Sequence, residues 1–186
     1  DMTRRVAARL AEKVRADDWH LDVGVHGAKA ILNALSENGY AEDAYRIAVQ
    51  DTYPSWGWWI VNGATTLLEN WDLKATRDIS DNHIMFGEIG AWPYKGLGGI
   101  FPDERQPGFR HINLRPNFVR DLRHFEASHN SPYGTIVSKW NRKGKTVTYT
   151  VTLPSNTTAT LTISGAGDGG KTFEIKDNGR YKRVSR

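Results

Sequence analysis

A single carboxylate stands among aromatic residues in the segment 53–71, which reads YPSWGWWIVNGATTLLENW. Glu69 is its one acidic residue, and the same segment holds four tryptophans and a tyrosine. A carboxylate can accept a proton from water as a general base. An indole ring offers a flat apolar face, which suits the C–H groups of a sugar. The composition of this segment makes Glu69 a candidate catalytic residue in a sugar-binding site.

The spacing of the polar residues around Glu69 gives a second indication. On a helix over residues 58–71, Asn62, Thr65, Thr66 and Glu69 fall at positions i, i+3, i+4 and i+7, which form one stripe. The stripe holds no lysine or arginine, although a solvent-facing stripe usually carries long charged side chains. The pattern therefore predicts a polar cavity beside the helix, with Asn62 and Thr66 as candidate substrate contacts.

Simpler interpretations of the same residues stay open. Glu69 can lie in water on an ordinary amphipathic helix, or it can be buried beside an arginine, because an unpaired buried carboxylate is costly. Five of the seven tryptophans lie between residues 56 and 92, and each of them taken alone is better explained as core packing. For the cluster taken together with Glu69, a sugar site becomes competitive with core packing.

The first half of the chain has the pattern of short helices that pack antiparallel. Val6, Leu10 and Val14 recur four residues apart, Asn38 precedes a glycine that is typical of a helix end, and Ser55 is a candidate N-cap. These signals predict five helices, over residues 3–18, 26–39, 41–50, 54–71 and about 83–97.

The second half alternates apolar and polar residues with a period of two, which is typical of half-buried strands. We predict strands at GTIVSKW, KTVTYTVTL, TATLTI, KTFEI and RYKRV, the first two joined by the turn NRKG. Asn178-Gly179 predicts a hairpin between the last two strands. The predicted fold class is α+β, with a helical domain over residues 1–107 and a small antiparallel β-sandwich over residues 108–186.

Composition narrows the classes of function. The chain has 186 residues, no cysteine and a net charge of +4, so a disulfide scaffold and a thiolate zinc site are excluded. No apolar run approaches the length of a membrane span, and no basic patch interleaved with aromatic residues indicates nucleic-acid binding. The six histidines show no metal-site spacing, so no metal or other cofactor is expected. The compartment, exported or cytoplasmic, stays open.

Several motifs, taken in order, resemble the α-L-rhamnosidases of glycoside hydrolase family 78. They are Tyr-Pro-Ser-Trp from residue 53, Gly-Ala-Thr-Thr-x-x-Glu ending at Glu69, Asn-His ending at His83, and Tyr-Gly-x-Ile-x-Ser-x-Trp ending at Trp140. The resemblance covers roughly residues 18–163.

This resemblance implies a catalytic (α/α)6 barrel and hydrolysis of terminal α-L-rhamnosides with inversion. It implies that Glu69 is the general base and that His83 contacts the bound rhamnose. Trp56 and Trp59 lie in the matching aromatic segment and are further candidate sugar contacts. His20 is expected to line the same pocket through its loop.

The chain also departs from the family pattern. It has no counterpart of the upstream segment, rich in Asp and Glu and ending in Gly-Trp, that supplies the general acid in these enzymes. Five helices also cannot close a barrel of twelve. We therefore expect a C-terminal piece of a larger rhamnosidase, an incomplete barrel followed by the sandwich, that does not hydrolyse rhamnosides alone.

The expected partners are a rhamnose-containing glycan or glycoside and the N-terminal domains of the same protein. Helix faces left open by an incomplete barrel also favour a homo-oligomer. Two other functions remain as alternatives: a non-catalytic carbohydrate-binding fragment, or part of a different (α/α) barrel glycosidase. A binding module would not need Glu69 beside asparagine and threonine, and would more often carry its aromatic residues on the β half.

Overall fold

The protein divides into two compact units, Asp1–Trp92 and Pro93–Arg186. The computed structural model describes residues 1–77, 80–164, 170–176 and 179–184. The division falls between Trp92 and Pro93, ahead of the boundary predicted after Pro107. The reason is that Ile100–Pro102 is already a strand, paired with the strand that begins at His111.

The first unit is helical, as the apolar periodicity predicts. Over its described residues it contains five α-helices: α1 (Met2–Ala16), α2 (Val25–Glu37), α3 (Ala41–Ala48), α4 (Trp56–Val61) and α5 (Glu88–Trp92). A 3-10 turn, Ile84–Phe86, precedes α5. None of these helices has both the length and the apolar character that crossing a membrane requires, and the described part of the chain contains no other candidate.

Helix α4 is much shorter than the predicted helix over residues 54–71. It begins after Ser55, whose hydroxyl accepts a hydrogen bond from the Trp58 N–H at 3.0 Å. It ends at Val61, because Asn62 forms its C-cap and Gly63 follows with a φ of +89°. Asn-Gly is a standard helix stop. The prediction that Asn62, Thr66 and Glu69 share one helical stripe is therefore wrong.

The last predicted helix, about residues 83–97, is divided into the 3-10 turn, α5 and a π-helical turn over Pro93–Leu97. Pro93 has no N–H to donate to the carbonyl four residues earlier, so an α-helix cannot run through it undisturbed. The Gly98 N–H instead donates to the Pro93 carbonyl at 2.9 Å, which closes the wider turn.

An ion pair between the half-exposed Arg15 and the buried Asp43 joins α1 to α3. Asp43 is only 4% exposed and accepts hydrogen bonds from Arg15 Nε at 3.0 Å, Arg15 Nη2 at 2.7 Å and Trp19 Nε1 at 2.9 Å. Burial raises the pKa of the Asp43 carboxyl, but the hydrogen bonds from Arg15 and Trp19 outweigh burial and hold that pKa below its ordinary value.

Over its described residues the second unit contains two four-stranded sheets. Their strands are β1 (Ile100–Pro102), β2 (His111–Leu114), β3 (His124–Ser131), β4 (Gly134–Lys143), β5 (Thr146–Thr152), β6 (Thr158–Ile163), β7 (Lys171–Ile175) and β8 (Gly179–Val184). One sheet has the order β1-β2-β6-β7 and the other has the order β3-β4-β5-β8. The apolar positions of the central strands are buried, as the period of two predicts.

Strand pairing confirms one predicted hairpin and corrects another. Strands β4 and β5 pair antiparallel across the predicted turn, with Trp140 opposite Tyr149. The predicted hairpin between β7 and β8 is wrong, because β7 pairs with β6 whereas β8 pairs with β5 in the other sheet. Asn178 itself lies outside the described residues. The sheets are not wholly antiparallel either, since β2 and β6 run parallel.

The core of the second unit contains a small polar network. The Ser138 hydroxyl lies 2.6 Å from the Gly98 carbonyl and 3.0 Å from the Tyr149 hydroxyl. Both side chains are fully buried, and burial raises the pKa of the Tyr149 hydroxyl. The network therefore satisfies polar groups in a place that water does not reach.

Candidate active site

Glu69 lies on a long connection between α4 and the 3-10 turn, and hydrogen bonds hold two parts of this connection together. The Glu69 N–H donates to the Ser80 carbonyl at 3.0 Å, and the His83 N–H donates to the Leu67 carbonyl at 2.7 Å. A third bond runs from the Thr66 hydroxyl to the Asp81 carbonyl. We call residues 66–69 and 80–83 the clasp.

The clasp aims the Glu69 carboxylate at His83. The Ser80 N–H donates to Glu69 Oε2 at 3.2 Å, and His83 Nδ1 lies 3.7 Å from the same oxygen. The side chains of Glu69 and His83 remain 28% and 26% exposed. The carboxylate is therefore oriented by its neighbours and still accessible to solvent.

Glu69 also borders a shallow cavity of about 200 Å³. Asp72 and Asp81 line the same cavity, and none of the described residues that line it is basic. An acceptor-rich cavity of this size has room for water molecules, and ionised carboxylates bind them only as acceptors. This arrangement allows Glu69 to accept a proton from a bound water.

The two polar residues predicted to contact substrate have other hydrogen-bond partners. Asn62 donates through Nδ2 to the Trp58 carbonyl at 2.8 Å, so it caps α4 and does not join the clasp. Thr66 does belong to the clasp, but its one hydroxyl proton goes to the Asp81 carbonyl. The structure thus brings Thr66 and His83 to Glu69, and leaves Asn62 at the end of the helix.

Trp56 and Trp59, predicted as sugar contacts, lie in the core. They are 4% and 2% exposed, and their indole N–H groups donate to the carbonyls of Phe86 and Trp71 at 3.1 and 3.3 Å. Trp59 stacks on Trp71 with ring centroids 4.6 Å apart. Neither ring presents a face to a ligand here, so the core alternative describes both better. Their contacts fix Trp71, two residues beyond Glu69.

His20 lines a separate and larger cavity, of about 650 Å³, together with Tyr53 and Trp71. Its Nε2 lies 2.7 Å from the Thr52 hydroxyl and its Nδ1 lies 3.1 Å from the Asp17 carbonyl. The expectation that His20 faces a cavity through its loop agrees with this placement. Glu69 lines the smaller cavity and is not among the residues that line this larger one, so a pocket shared by His20 and Glu69 stays a prediction.

Ser80 is the member of the site that sequence patterns miss. Its main chain both donates to and accepts from Glu69, although eleven residues separate the two. Because the main chain of any residue except proline can make this contact, the residue type at position 80 does not reveal it. No group of three or more His, Asp or Glu suited to a metal ion occurs among the described residues.

Comparison with known proteins places both units in one family. Residues 1–97 match the model of the bacterial alpha-L-rhamnosidase 6 hairpin glycosidase domain, and residues 99–176 match the model of the bacterial alpha-L-rhamnosidase C-terminal domain. The chain is 33% identical over 171 residues to an α-L-rhamnosidase of Streptomyces avermitilis, across 88% of this chain and 16% of that protein. It is 35% identical over 162 residues to one of Formosa agariphila, across 83% of this chain and 17% of that protein.

Solved structures show the same likeness. A native α-L-rhamnosidase from Aspergillus terreus aligns with a TM-score of 0.87 and 27% identity, covering 98% of this chain and 22% of that one. The S. avermitilis enzyme in complex with L-rhamnose aligns with a TM-score of 0.82 and 30% identity, covering 96% and 19%. The chain thus spans less than a fifth of the length of the curated relatives described here.

Proposed function

Because the chain belongs to the bacterial α-L-rhamnosidase family, we propose that it is part of an inverting glycosidase that hydrolyses terminal α-L-rhamnosides. In this proposal Glu69 is the general base. The observation that carries it is the clasp, which holds an accessible carboxylate beside a histidine and a cavity. A buried salt bridge or a fully solvated side chain at this position would not support the same role.

The proposed reaction needs a base on one face of the sugar and an acid on the other. Glu69 takes a proton from a water molecule, which attacks the anomeric carbon opposite the leaving group. The Ser80 N–H and His83 Nδ1 both face Glu69 Oε2. That leaves Oε1 as the atom proposed to receive the proton.

His83 is proposed to contact the rhamnose. Its Nδ1 faces the base, so Nε2 on the other side of the ring is the atom that reaches the sugar. In this proposal the bound sugar lies next to the base, which the 3.7 Å distance between His83 Nδ1 and Glu69 Oε2 supports. Effective proximity of this kind is a large part of enzymatic rate enhancement.

The general acid is proposed to come from another segment of a longer rhamnosidase. In inverting glycosidases the two carboxyl groups stand about 6.5–9.5 Å apart, so that a water fits between base and sugar. The five helices of the first unit are proposed to form part of an (α/α)6 barrel that the same longer protein completes. The other partners proposed are its N-terminal domains and a second copy of the chain.

The base is tested by Glu69→Gln in the longer rhamnosidase, which keeps the shape of the side chain and removes its basicity. We expect kcat for an aryl α-L-rhamnoside to fall by about 10²–10⁴, the range typical of general base catalysis. Glu37→Gln, an exposed position at the end of α2, is the matched control and should leave kcat unchanged. Retained activity in the Glu69 variant would refute the assignment.

The stereochemistry is tested on the wild-type enzyme by following the first product by NMR. Inversion of an α-L-rhamnoside releases β-L-rhamnose before mutarotation. If the first product is the α anomer, the enzyme is retaining and Glu69 is not an inverting base.

The isolated 186-residue chain is expected to show no turnover of the same substrate above a Glu69→Gln control, because the acid is supplied elsewhere. Titration of the chain with rhamnose and with galactose distinguishes the alternatives. Selective binding of rhamnose at the clasp supports the partial active site. Galactose binding equal to that of rhamnose would instead favour another sugar specificity.

A further inference from the structure

The clasp is held by side-chain as well as main-chain bonds, and only the side-chain bonds can be removed by substitution. Two of its cross-links, Glu69 to Ser80 and His83 to Leu67, are made by backbone groups at both ends. The bond to the Asp81 carbonyl comes from the Thr66 hydroxyl. Among the described residues, Thr66 is the one, besides Glu69, whose side chain makes a hydrogen bond between the two parts of the clasp.

The position of Asp81 explains why this bond matters. Asp81 follows Ser80, whose N–H holds the Glu69 carboxylate, and stands two residues before His83, whose ring faces it. Consecutive Cα atoms are about 3.8 Å apart, so anchoring the Asp81 carbonyl limits the movement of Ser80, which is adjacent to it, and of His83, two residues further on. Losing the anchor would loosen Ser80 and His83 relative to Glu69 at the same time.

We propose that Thr66 is a positioning residue: its hydroxyl bond to the Asp81 carbonyl holds Ser80 and His83 in register with Glu69. This inference rests on the proposed role of Glu69 as base. It replaces the direct substrate contact predicted for Thr66 from sequence. The hydroxyl has one proton to donate, and the Asp81 carbonyl receives it, so no proton is left for a sugar oxygen.

The first test measures the clasp itself in the 186-residue chain, by hydrogen exchange of the Glu69 and His83 amides. Thr66→Val keeps the shape of the side chain and removes the hydroxyl. We expect both amides to exchange roughly two- to tenfold faster, the effect of losing one net hydrogen bond on local opening. Thr66→Ser keeps the hydroxyl and should restore slow exchange.

Thr76→Val is the matched control, since Thr76 is an exposed threonine of the same connection and lies outside the clasp. It should leave both exchange rates unchanged. Equal exchange in the wild type, Thr66→Val and Thr76→Val would overturn the inference. Faster exchange throughout the chain in Thr66→Val, with no rescue by Thr66→Ser, would overturn it as well, because it would indicate general destabilisation.

The second test separates positioning from substrate binding in the longer rhamnosidase. Misplacing a base by a fraction of an ångström lowers kcat, so we expect about a tenfold loss of kcat in Thr66→Val. KM should rise by a smaller factor than kcat falls, because Thr66 itself contacts no substrate and only the proposed His83 contact is loosened. A raised KM with unchanged kcat and unchanged amide exchange would show that Thr66 contacts substrate, which contradicts the proposal.

The Glu69→Gln variant distinguishes failure of this inference from failure of the proposed function. If Glu69→Gln stays active, Glu69 is not the base and Thr66 has no base to position. If Glu69→Gln is inactive while Thr66→Val behaves as wild type in both tests, the positioning role alone is wrong.

Discussion

The clasp around Glu69 and the β4–β5 hairpin are held together in opposite ways. The clasp is irregular, its side chains are partly exposed, and a few hydrogen bonds join two parts of one connection. The hairpin is regular, and its register runs from Val137 opposite Thr152 to Lys143 opposite Thr146. Its central pair, Trp140 and Tyr149, is fully buried.

The difference shows where this molecule obtains stability and where it keeps the proposed catalytic groups accessible. Buried apolar surface stabilises the hairpin, because each side chain removed from water contributes to the folding free energy. The clasp buries little and depends on hydrogen bonds that are individually small in net terms. Substitutions in the two regions should therefore separate changes of stability from changes of catalysis.

The largest effect on stability is expected from Trp140→Ala. The side chain is fully buried and packs against Phe118, with ring centroids 5.6 Å apart. Removing it leaves a cavity, and we expect the free energy of unfolding to fall by about 3–5 kcal/mol. Chemical denaturation measures this loss, with Glu69→Gln as the comparison.

Glu69→Gln should change the same free energy by less than about 0.5 kcal/mol, as is usual for accessible side chains. The comparison of the two regions would break down if the Glu69 variant were destabilised as strongly as Trp140→Ala.

A smaller effect is expected at the ion pair between Arg15 and Asp43 in the helical unit. Asp43→Asn keeps the shape of the side chain and removes the charge that Arg15 and Trp19 bind. Hydrogen bonds to charged groups are each worth about 1.5–3 kcal/mol, and Arg15 is half exposed, so we expect a loss of about 2 kcal/mol at pH 7.

The pH dependence of this loss has a definite sign. The pKa of Asp43 is lower in the folded than in the unfolded protein, so its contribution is present above the unfolded pKa and is lost as the pH falls through the folded pKa. The difference in unfolding free energy between wild type and Asp43→Asn should therefore shrink as the pH is lowered from 7 to about 3.

Asp51→Asn, at an exposed position, is the control for this experiment and should show no such dependence. A difference between wild type and Asp43→Asn that stays constant over the same pH range would show that the charge of Asp43 does not account for its contribution.

Several elements were predictable because their signals are local. The alternation in KTVTYTVTL places Val147, Tyr149 and Val151 on one face of β5, and these residues are buried. The turn between β4 and β5 likewise follows from short-range residue preferences. The end of α4 was also predictable from the sequence, because Asn62-Gly63 is the same helix-stop signal as Asn38-Gly39. The polar stripe predicts a longer helix, but the Asn62-Gly63 stop ends α4 at Val61.

The candidate site was partly predictable, for a different reason. Residue type and sequence motif identify Glu69 and His83 as candidate site residues. In the structure Glu69 Oε2 and His83 Nδ1 lie 3.7 Å apart. The tryptophans could not be assigned in the same way, because an indole ring suits both a sugar platform and a core. For Trp56 and Trp59 only the measured burial separates the two.

Residue type and periodicity were enough to predict the helical half, the β half and Glu69 as the candidate catalytic residue of the helical half. Those properties arise from interactions between neighbours along the chain. The contact of the Ser80 amide with Glu69, the separation of β7 from β8 and the burial of the tryptophans required the folded chain. Each joins groups that are distant in sequence, and such contacts depend on how the whole backbone closes on itself rather than on any local preference.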